Sequence, residues 1–405
     1  MSSNGSGTPS KPKQSAVTRS LRERREGVLE RTGVAEKNRR ATEAPTATFY
    51  VLLVTVMFLV ILGLIMVLSS SSVTSLHTGG SAWSLFLRQL MWAGFGAVAM
   101  WATYTYPYTM WRSKQWLYSI IFGSIGLNLL VVAKGQIVNG AKAWLQLGPI
   151  RIQPSEFMKI AVVLYCADLL AKRHRYVAVK QKVWYPLLFA LALSAGLCKL
   201  QSDYGSALIF IFIVLALMFI SSVPRDQMFL TLGGIAVIGI GVLNTSTNAK
   251  RRYQAWRNLE LNKGQWGYQV YQALLSIANG GAGGTGIGSG TSKWGYVPLA
   301  YSDFIFAVVA EELGILGAFM VIGAYVVLVV FGLRTALRAR DMYGAFLAGG
   351  ISAWIGMQAF VNIGGVTNAI PMTGLTLPFM SYGGSSLLAT MAASGLLLNV
   401  ARTMK

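Results

Sequence analysis

After residue 47 the chain is built from long apolar blocks separated by short polar segments. A bilayer is crossed by a helix of about 20 apolar residues, and blocks of that length recur about ten times. They run approximately 48–68, 86–106, 116–133, 155–171, 184–200, 206–222, 228–244, 304–332, 344–364 and 383–400. The pattern predicts an all-α polytopic membrane protein of about ten transmembrane helices. Residues 245–303 form the one long interruption, expected as a large extracytoplasmic loop between helices 7 and 8.

Residues 1–47 contain no such block. They are rich in Ser, Thr, Arg, Lys and Glu, which predicts a disordered basic tail. The first apolar run starts too late and extends too far to be the core of a cleavable signal peptide. Within the tail, "RSLRERREGVLE" has the pattern of a short basic amphipathic helix suited to anionic lipid. The alternative is a solvated tail that only sets topology.

Cations recur in every second connection. Arg112 and Lys114 follow the second block, "KRHRYVAVKQK" the fourth, Arg225 the sixth and "RTALRAR" the eighth, and the chain ends "ARTMK". An even number of spans puts all of these on one side, and the positive-inside bias makes that side the cytoplasm, with both termini there. Topology thus accounts for the net charge of +21, and no nucleic-acid partner is needed.

Composition agrees with the block pattern: 54% of residues are hydrophobic and only 12% charged, far from the soluble average. Cys166 and Cys198 both fall inside apolar blocks, which favours packing over a disulfide or a metal motif. His77 and His174 lie in different loops and leave little for a zinc or haem site.

The long loop carries Lys250, Arg251, Arg252, Arg257, Lys263 and Lys293 among Trp256, Trp266 and Trp294. Two readings stand: a solvated external loop, or a cationic site for an anionic lipid-linked substrate. Val270, Leu274, Leu275 and Ala278 in "YQVYQALLSIA" follow helical spacing and predict a helix along the interface. The following "NGGAGGTGIGSG" has no preceding strand and no βαβ context, so a nucleotide site is not indicated. A hinge or a close backbone approach to a lipid headgroup is expected instead.

Only 14 residues are acidic, yet Asp303, Glu311 and Glu312 cluster at the start of the eighth block. A charge at the bilayer centre costs about 2.5–3.5 kcal/mol on insertion scales, so such groups face the bundle interior or a cavity. On a continuous helix Glu311 would lie about 12 Å deeper than Asp303 and near the same face, with Glu312 roughly opposite. One of the pair must therefore find a partner on another helix, and both are expected to be structural or cavity-lining. Asp303, hydrated at the outer mouth beside the basic loop, is placed to accept a proton from a sugar hydroxyl. Asp203, in "CKLQSDYGSALIF", lies in a short turn on the same side. In "IRIQPSEFMKIAVVLY", Ser155 is expected as an N-cap, Glu156 at the positive helix end and Lys159 one turn on.

Five stretches, in order, carry a family resemblance: "NGAKAWLQLGPIRIQPSEFMKIA", "QSDYGSAL", "GYQVYQALLSIANGG…GTGIGSG", "YVPLAYSDFIFAVVAEELG" and "IPMTGLTLPFMSYGGSSLL". With these the chain resembles the SEDS family of cell-wall synthases, which includes FtsW, RodA and SpoVE. The long basic tail, "LIMVLSSSSV", "KWGYVP" and "GLTLP" lean toward the FtsW-type division branch rather than the RodA type. The resemblance implies a peptidoglycan glycosyltransferase of the bacterial cytoplasmic membrane. It would polymerise lipid II at the outer face, with a class B penicillin-binding protein and other division or elongation membrane proteins as partners. The family's essential aspartate falls on Asp303 within Ser302-Asp303-Phe304-Ile305.

Three departures stand out. Many relatives have Pro-Glu-Ala-His-Thr-Asp where this chain has Pro298-Leu299-Ala300-Tyr301-Ser302-Asp303. Their Gln-Pro-Asp-Leu-Gly-Thr is Gln201-Ser202-Asp203-Tyr204-Gly205-Ser206 here, and a Lys of some division-type members is Thr373.

The expected site then has Asp303 as catalytic base, with Arg251, Arg252 and Lys293 on the pyrophosphate. Trp144, Asp203 and Ser302 would shape the substrate cavity. Glu156, Lys159, Glu311, Glu312, Ser381, Gly383 and Gly384 would be structural or cavity-lining. A divalent cation, Mg or Mn, is a further candidate for steadying the leaving group. The rival readings are a flippase for the same lipid-linked precursor and a scaffold without activity.

Overall fold

The computed structural model describes residues 45–77, 81–138, 140–148 and 150–404. The basic tail and its amphipathic segment lie almost entirely outside the described residues.

Helices occupy all ten apolar blocks. They are α1 (Ala47–His77), α2 (Ser84–Thr105), α3 (Lys114–Lys134), α4 (Pro154–Lys172), α5 (Tyr185–Leu200), α6 (Tyr204–Ile220) and α7 (Arg225–Thr245), and, after the long connection, α11 (Ile305–Leu337), α12 (Met342–Val366) and α13 (Gly384–Arg402). Among the described residues, eight of these are long and apolar enough to cross a membrane, α5 counting together with the π-helical turn Lys180–Trp184 that runs into it. The two others fall short for different reasons. α6 has only 17 residues, and α4 carries Glu156, Lys159, Asp168 and Lys172. Ten helices thus occupy the ten expected blocks, eight of them meeting both criteria of length and composition.

One expectation is corrected. The connection between α3 and α4 is a three-stranded antiparallel sheet, so the fold is not wholly helical: β1 (Gln136–Val138), β2 (Ala141–Leu147) and β3 (Ile150–Ile152), in the order β1-β2-β3. Gly140 and Gly148, at φ of 80° and 61°, make the turns between its strands. The long connection 245–303 holds more helix than the one expected at "YQVYQALLSIA". It folds into α8 (Thr247–Arg257), the single turn α9 (Leu259–Asn262) and α10 (Tyr268–Gly280). α10 is amphipathic and packs on α11; it buries Val270, Ala273 and Ser276, whereas Leu275 and Ala278 of the expected apolar face are exposed.

Burial sorts the bundle into a centre and a rim. In α13, 83% of the apolar window is buried against other helices, whereas α7 buries only 6% of its own. α13 packs on α2, α11 on α12 and α1, and α12 on α4 and α6. Where α13 meets α2, a side chain on Gly384 would overlap the Trp92 indole at 2.2 Å, so the backbones approach closely only because that position is bare. Cys166 and Cys198 are free and buried, in keeping with a packing role.

The eighth block is interrupted. Gly314 has φ 69° and ψ −168° inside α11, which breaks the ladder of hydrogen bonds. The glycine-rich run after α10 threads into that break. Thr285 N–H donates to the Glu311 carbonyl at 2.9 Å and Gly286 N–H to the Glu312 carbonyl at 3.0 Å, while Ile315 N–H donates to Gly281 O at 3.0 Å. The glycine-rich run thus makes its close backbone approach to α11.

Candidate functional site

Asp303 does not belong to a helix. It lies in a turn that ends at Phe304, immediately before α11, so the helical-wheel relation to Glu311 does not apply. Leu299 opens the turn at φ 59°, an uncommon conformation for a branched side chain, and Ser302 N–H closes it on the Leu299 carbonyl at 2.9 Å.

Hydrogen bonds fasten this turn to α12 and to the segment between α12 and α13. Asn362 Nδ2 donates to the Asp303 carbonyl at 2.8 Å and to the Leu375 carbonyl at 2.6 Å. Ser381 Oγ donates to the Ser302 carbonyl at 2.6 Å, and Tyr382 N–H donates to the Tyr301 carbonyl at 2.9 Å. Gln89 of α2 holds the far side, donating to Ser381 O at 3.0 Å and accepting from Gly383 N–H at 3.3 Å. Backbone held from so many elements fixes where the Asp303 side chain can point.

The carboxylate is half-buried, not freely hydrated as expected. Burial pushes its pKa up to about 6, partly offset by the hydrogen bond from Ser302 and the charge of Arg252. Ser302 Oγ donates to Asp303 Oδ1 at 3.1 Å. Arg252 reaches in from α8, its Nη1 donating to the Thr373 carbonyl at 2.6 Å. A Cβ built on Gly374, whose φ is 76°, would stand 3.6 Å from Asp303 Oδ2 and 3.7 Å from Arg252 Nη2. Carboxylate and guanidinium therefore face one small gap, kept open by a glycine.

The other two expected cations point elsewhere. Arg251 stacks over the Trp266 ring, 4.2 Å from its centroid, and Lys293 donates to the Gly288 carbonyl. Trp266 also lines a shallow cleft with Arg252, Trp256, Val270, Asn368 and Met372. Trp144 is half-buried on β2 opposite Gln136, away from these groups in sequence and pairing.

Asp203 serves as a structural node. It caps α6 by accepting from Ser206 N–H at 3.0 Å, and it receives Gln153 Nε2 at 3.1 Å and Ser155 Oγ at 3.2 Å. Ser155 is consequently not the N-cap of α4. Gln153 occupies that position without a side-chain bond, and Pro154 begins the helix.

The remaining carboxylates are structural in a readable way. Glu311 accepts from Thr291 N–H at 2.7 Å and Oγ1 at 2.6 Å, from Ser292 N–H at 3.1 Å and Oγ at 2.6 Å, and from Asn279 Nδ2 at 3.3 Å. Glu312 receives Ser69 Oγ of α1 at 2.6 Å, the partner on another helix that the geometry required. Glu156 pairs with Lys159 at 2.7 Å, both buried. Lys159 also donates to Gln358 Oε1 at 2.9 Å, and Gln358 Nε2 donates to the Thr376 carbonyl at 3.0 Å. The pair thereby supports the segment that carries Ser381.

No group of three or more His, Cys, Asp or Glu placed to hold a metal occurs among the described residues. Asp303 with Ser302 and a cation beside it is a poor donor set for Mg or Mn, so no chemistry is assigned to a protein-held metal.

Sequence reasoning missed Asn362, Gln89 and Tyr382. The signal was present for the first two, since an amide inside an apolar block must find a partner. Which backbone it would serve was not legible.

Known proteins share this architecture. Residues 50–405 match the model of the family described as cell cycle protein, FtsW/RodA/SpoVE. The "probable peptidoglycan glycosyltransferase FtsW" of Geobacter metallireducens is 37% identical over 301 residues, covering 74% of this chain and 80% of that protein. Stage V sporulation protein E of Bacillus subtilis is 34% identical, covering 73% and 81%. A chain from a peptidoglycan synthase complex, solved to describe how polymerisation and crosslinking are coordinated, superposes with a TM-score of 0.72 at 27% identity, covering 89% and 98%. RodA of Thermus thermophilus superposes with a TM-score of 0.63 at 27% identity, covering 87% and 97%. With a family match over nearly all the described residues and two such relatives, the chain belongs to the FtsW/RodA/SpoVE family of multi-pass membrane proteins.

Proposed function

We propose that the protein is a peptidoglycan glycosyltransferase that polymerises lipid II at the outer face of the bacterial cytoplasmic membrane, in the septal wall. Its relatives bear the names of peptidoglycan glycosyltransferase FtsW and a sporulation protein, which supports the division branch over the elongation branch. The observation that carries the reading is Asp303: a half-buried carboxylate with its pKa near 6, rigidly seated, facing one guanidinium across an open gap.

The chemistry follows from those groups. Ionised Asp303 takes the proton from the 4-hydroxyl of the acceptor sugar as its oxygen attacks the anomeric carbon of the donor. The new glycosidic C–O bond forms as the bond from that carbon to the diphosphate oxygen breaks. A single displacement inverts the configuration, from the α-linked donor to a β-1,4 product. The leaving lipid diphosphate departs as an anion, so it needs cationic stabilisation more than a general acid, and Arg252 supplies it. Seating the site at the helix ends leaves both lipid tails in the membrane.

A class B penicillin-binding protein is the transpeptidase partner in this reading, supported by the likeness to a chain of a polymerising and crosslinking complex. The test is the copurified pair in vesicles, given lipid II with and without chelator. Glycan strands from the wild type and none from Asp303→Ala are expected, and loss of product with chelator would assign a divalent cation to the leaving diphosphate. Lipid II that only changes leaflet would overturn polymerisation in favour of transport. Strands from Asp303→Ala at the normal rate would remove the base.

A further inference from the structure

The base and the cation of the site are carried by different parts of the chain and do not touch. Asp303 sits in the turn before α11 and Arg252 on α8, and among the described residues the two form no ion pair. Yet Asp303 Oδ2 and Arg252 Nη2 lie 3.6 Å and 3.7 Å from one point, where a Cβ on Gly374 would stand. Opposite charges this near attract, and a guanidinium fork fits a carboxylate, so a rigid frame must hold them apart. Three hydrogen bonds make that frame. Arg252 Nη1 is tied to the Thr373 carbonyl at 2.6 Å. Two residues on, the Leu375 carbonyl accepts from Asn362 Nδ2 at 2.6 Å, and the same nitrogen donates to the Asp303 carbonyl at 2.8 Å. One amide nitrogen with two hydrogens thus joins the backbone that carries the base to the backbone that holds the cation.

Asn362 is itself immobilised. It is fully buried, and one turn earlier on the same face of α12 Gln358 donates to the Thr376 carbonyl at 3.0 Å. Gln358 in turn accepts from Lys159 Nζ and from Trp354 Nε1, each at 2.9 Å. Behind the segment lies α6, where a Cβ on Gly205 would stand 2.9 Å from Leu375 Cγ and 3.3 Å from the Thr373 carbonyl oxygen. The segment that holds Arg252 therefore has no room to retreat. We propose that Asn362 is a positioning residue that sets the distance between Asp303 and Arg252, holding base and cation apart so that the acceptor hydroxyl and the donor diphosphate enter between them. This rests on the polymerase reading above, in which those two groups serve the bond that forms and the bond that breaks. Without the amide, the turn is free to swing and the carboxylate closes on the guanidinium. Such a contact pair hides the base and neutralises the cation together. Among the described residues, Arg252 is the charged group acting on the Asp303 carboxyl. The phenols nearby are Tyr301 of the same turn and Tyr382 of the segment, their rings 5.6 Å apart, and burial raises both above the usual value, so they stay neutral.

The experiment titrates the Asp303 carboxyl directly, by infrared difference spectroscopy on the full-length chain in nanodiscs of zwitterionic phospholipid. Carboxyl bands are labelled with carbon-13 aspartate, and the one lost in Asp303→Asn is assigned to Asp303. The wild-type midpoint is expected at about pH 6. In Asn362→Ala it should fall by about one pH unit or more, because the carboxylate gains a contact cation. Asn362→Ser, gentler on the fold, has one donor and cannot bond both carbonyls, so its midpoint should fall likewise. With the transpeptidase partner, both variants should lose about a hundredfold in kcat/KM on lipid II. Arg252→Gln should titrate above the wild type, and adding Asn362→Ala should leave that value in place, since no cation remains to close on. A wild-type midpoint in both Asn362 variants, with activity lost only in step with folded protein, makes the residue merely structural and overturns the proposal. So does a downward shift of full size in the Arg252→Gln background, which would mean that the loosened carboxyl is simply better hydrated. Polymerisation by Asp303→Asn would overturn the catalytic reading instead, and it would leave the infrared midpoints untouched.

Discussion

Replacing Asp303 with Asn should abolish polymerisation and at the same time stabilise the fold. Burial lifts this carboxyl from an ordinary 3.8 to about 6, against the pull of Ser302 and Arg252. A rise of roughly two units, at about 1.36 kcal/mol each, amounts to roughly 3 kcal/mol in favour of the neutral acid. Between those two values the folded protein holds a proton that the unfolded chain has released. Stability therefore falls as pH rises through that window, and at neutral pH the ionised side chain costs the fold up to about 3 kcal/mol. Asn is nearly isosteric and never ionises, so it removes that cost, the usual trade of stability against activity at a working site.

The same value sets the rate profile of the wild type. Only the ionised form accepts a proton, so kcat/KM should climb through about pH 6, with about one tenth of the enzyme competent near pH 5 and about nine tenths near pH 7. The assay is polymerisation of fluorescent lipid II by the copurified complex across this range, paired with thermal unfolding of both proteins in one detergent. A flat rate between pH 5 and 7, or an Asn variant that melts below the wild type at neutral pH, would refute the reasoning.

Other expectations follow from the same contacts. Arg252→Gln removes a cation that holds the Asp303 pKa down, so the acidic limb should move to higher pH while kcat falls, read from the same profile. Lys159→Met leaves Glu156 charged and unpaired in the core and should cost about 3–5 kcal/mol, and adding Glu156→Gln should restore most of the loss in a thermal melt. Glu311→Gln weakens the five donors' hold and should destabilise by roughly 3 kcal/mol, with faster hydrogen exchange at Thr291 and Ser292. Gly280→Ala would press a methyl to 2.0 Å from the Ala310 carbonyl oxygen, so α10 should detach from α11, seen as new protease sensitivity between residues 281 and 293.

Much of this molecule was legible in its residues. Ten apolar blocks became ten helices, and the amphipathic spacing of Val270 and Leu274 became α10. The position of Asp303 just before the eighth apolar run became a turn ahead of α11. These inferences succeed because hydrophobic length and period are local properties, fixed by the solvent each segment must face. The same locality explains the failures. β1 and β3, of three residues each, lie below the length at which periodicity speaks, and β2 forms a sheet only by pairing with them. Ser155 has the chemistry of a cap, but Asp203, 48 positions away, takes its hydroxyl.

By itself, the chain determined that it must sit in a membrane as a helical bundle with a carboxylate at one end. Only the tertiary structure decided which of three cations faces that carboxylate. Arg251, Arg252 and Lys293 are alike in charge and loop, and what separates them is where Trp266, Thr373 and Gly288 come to rest. Those positions depend on packing between helices distant in sequence, and no local pattern encodes them.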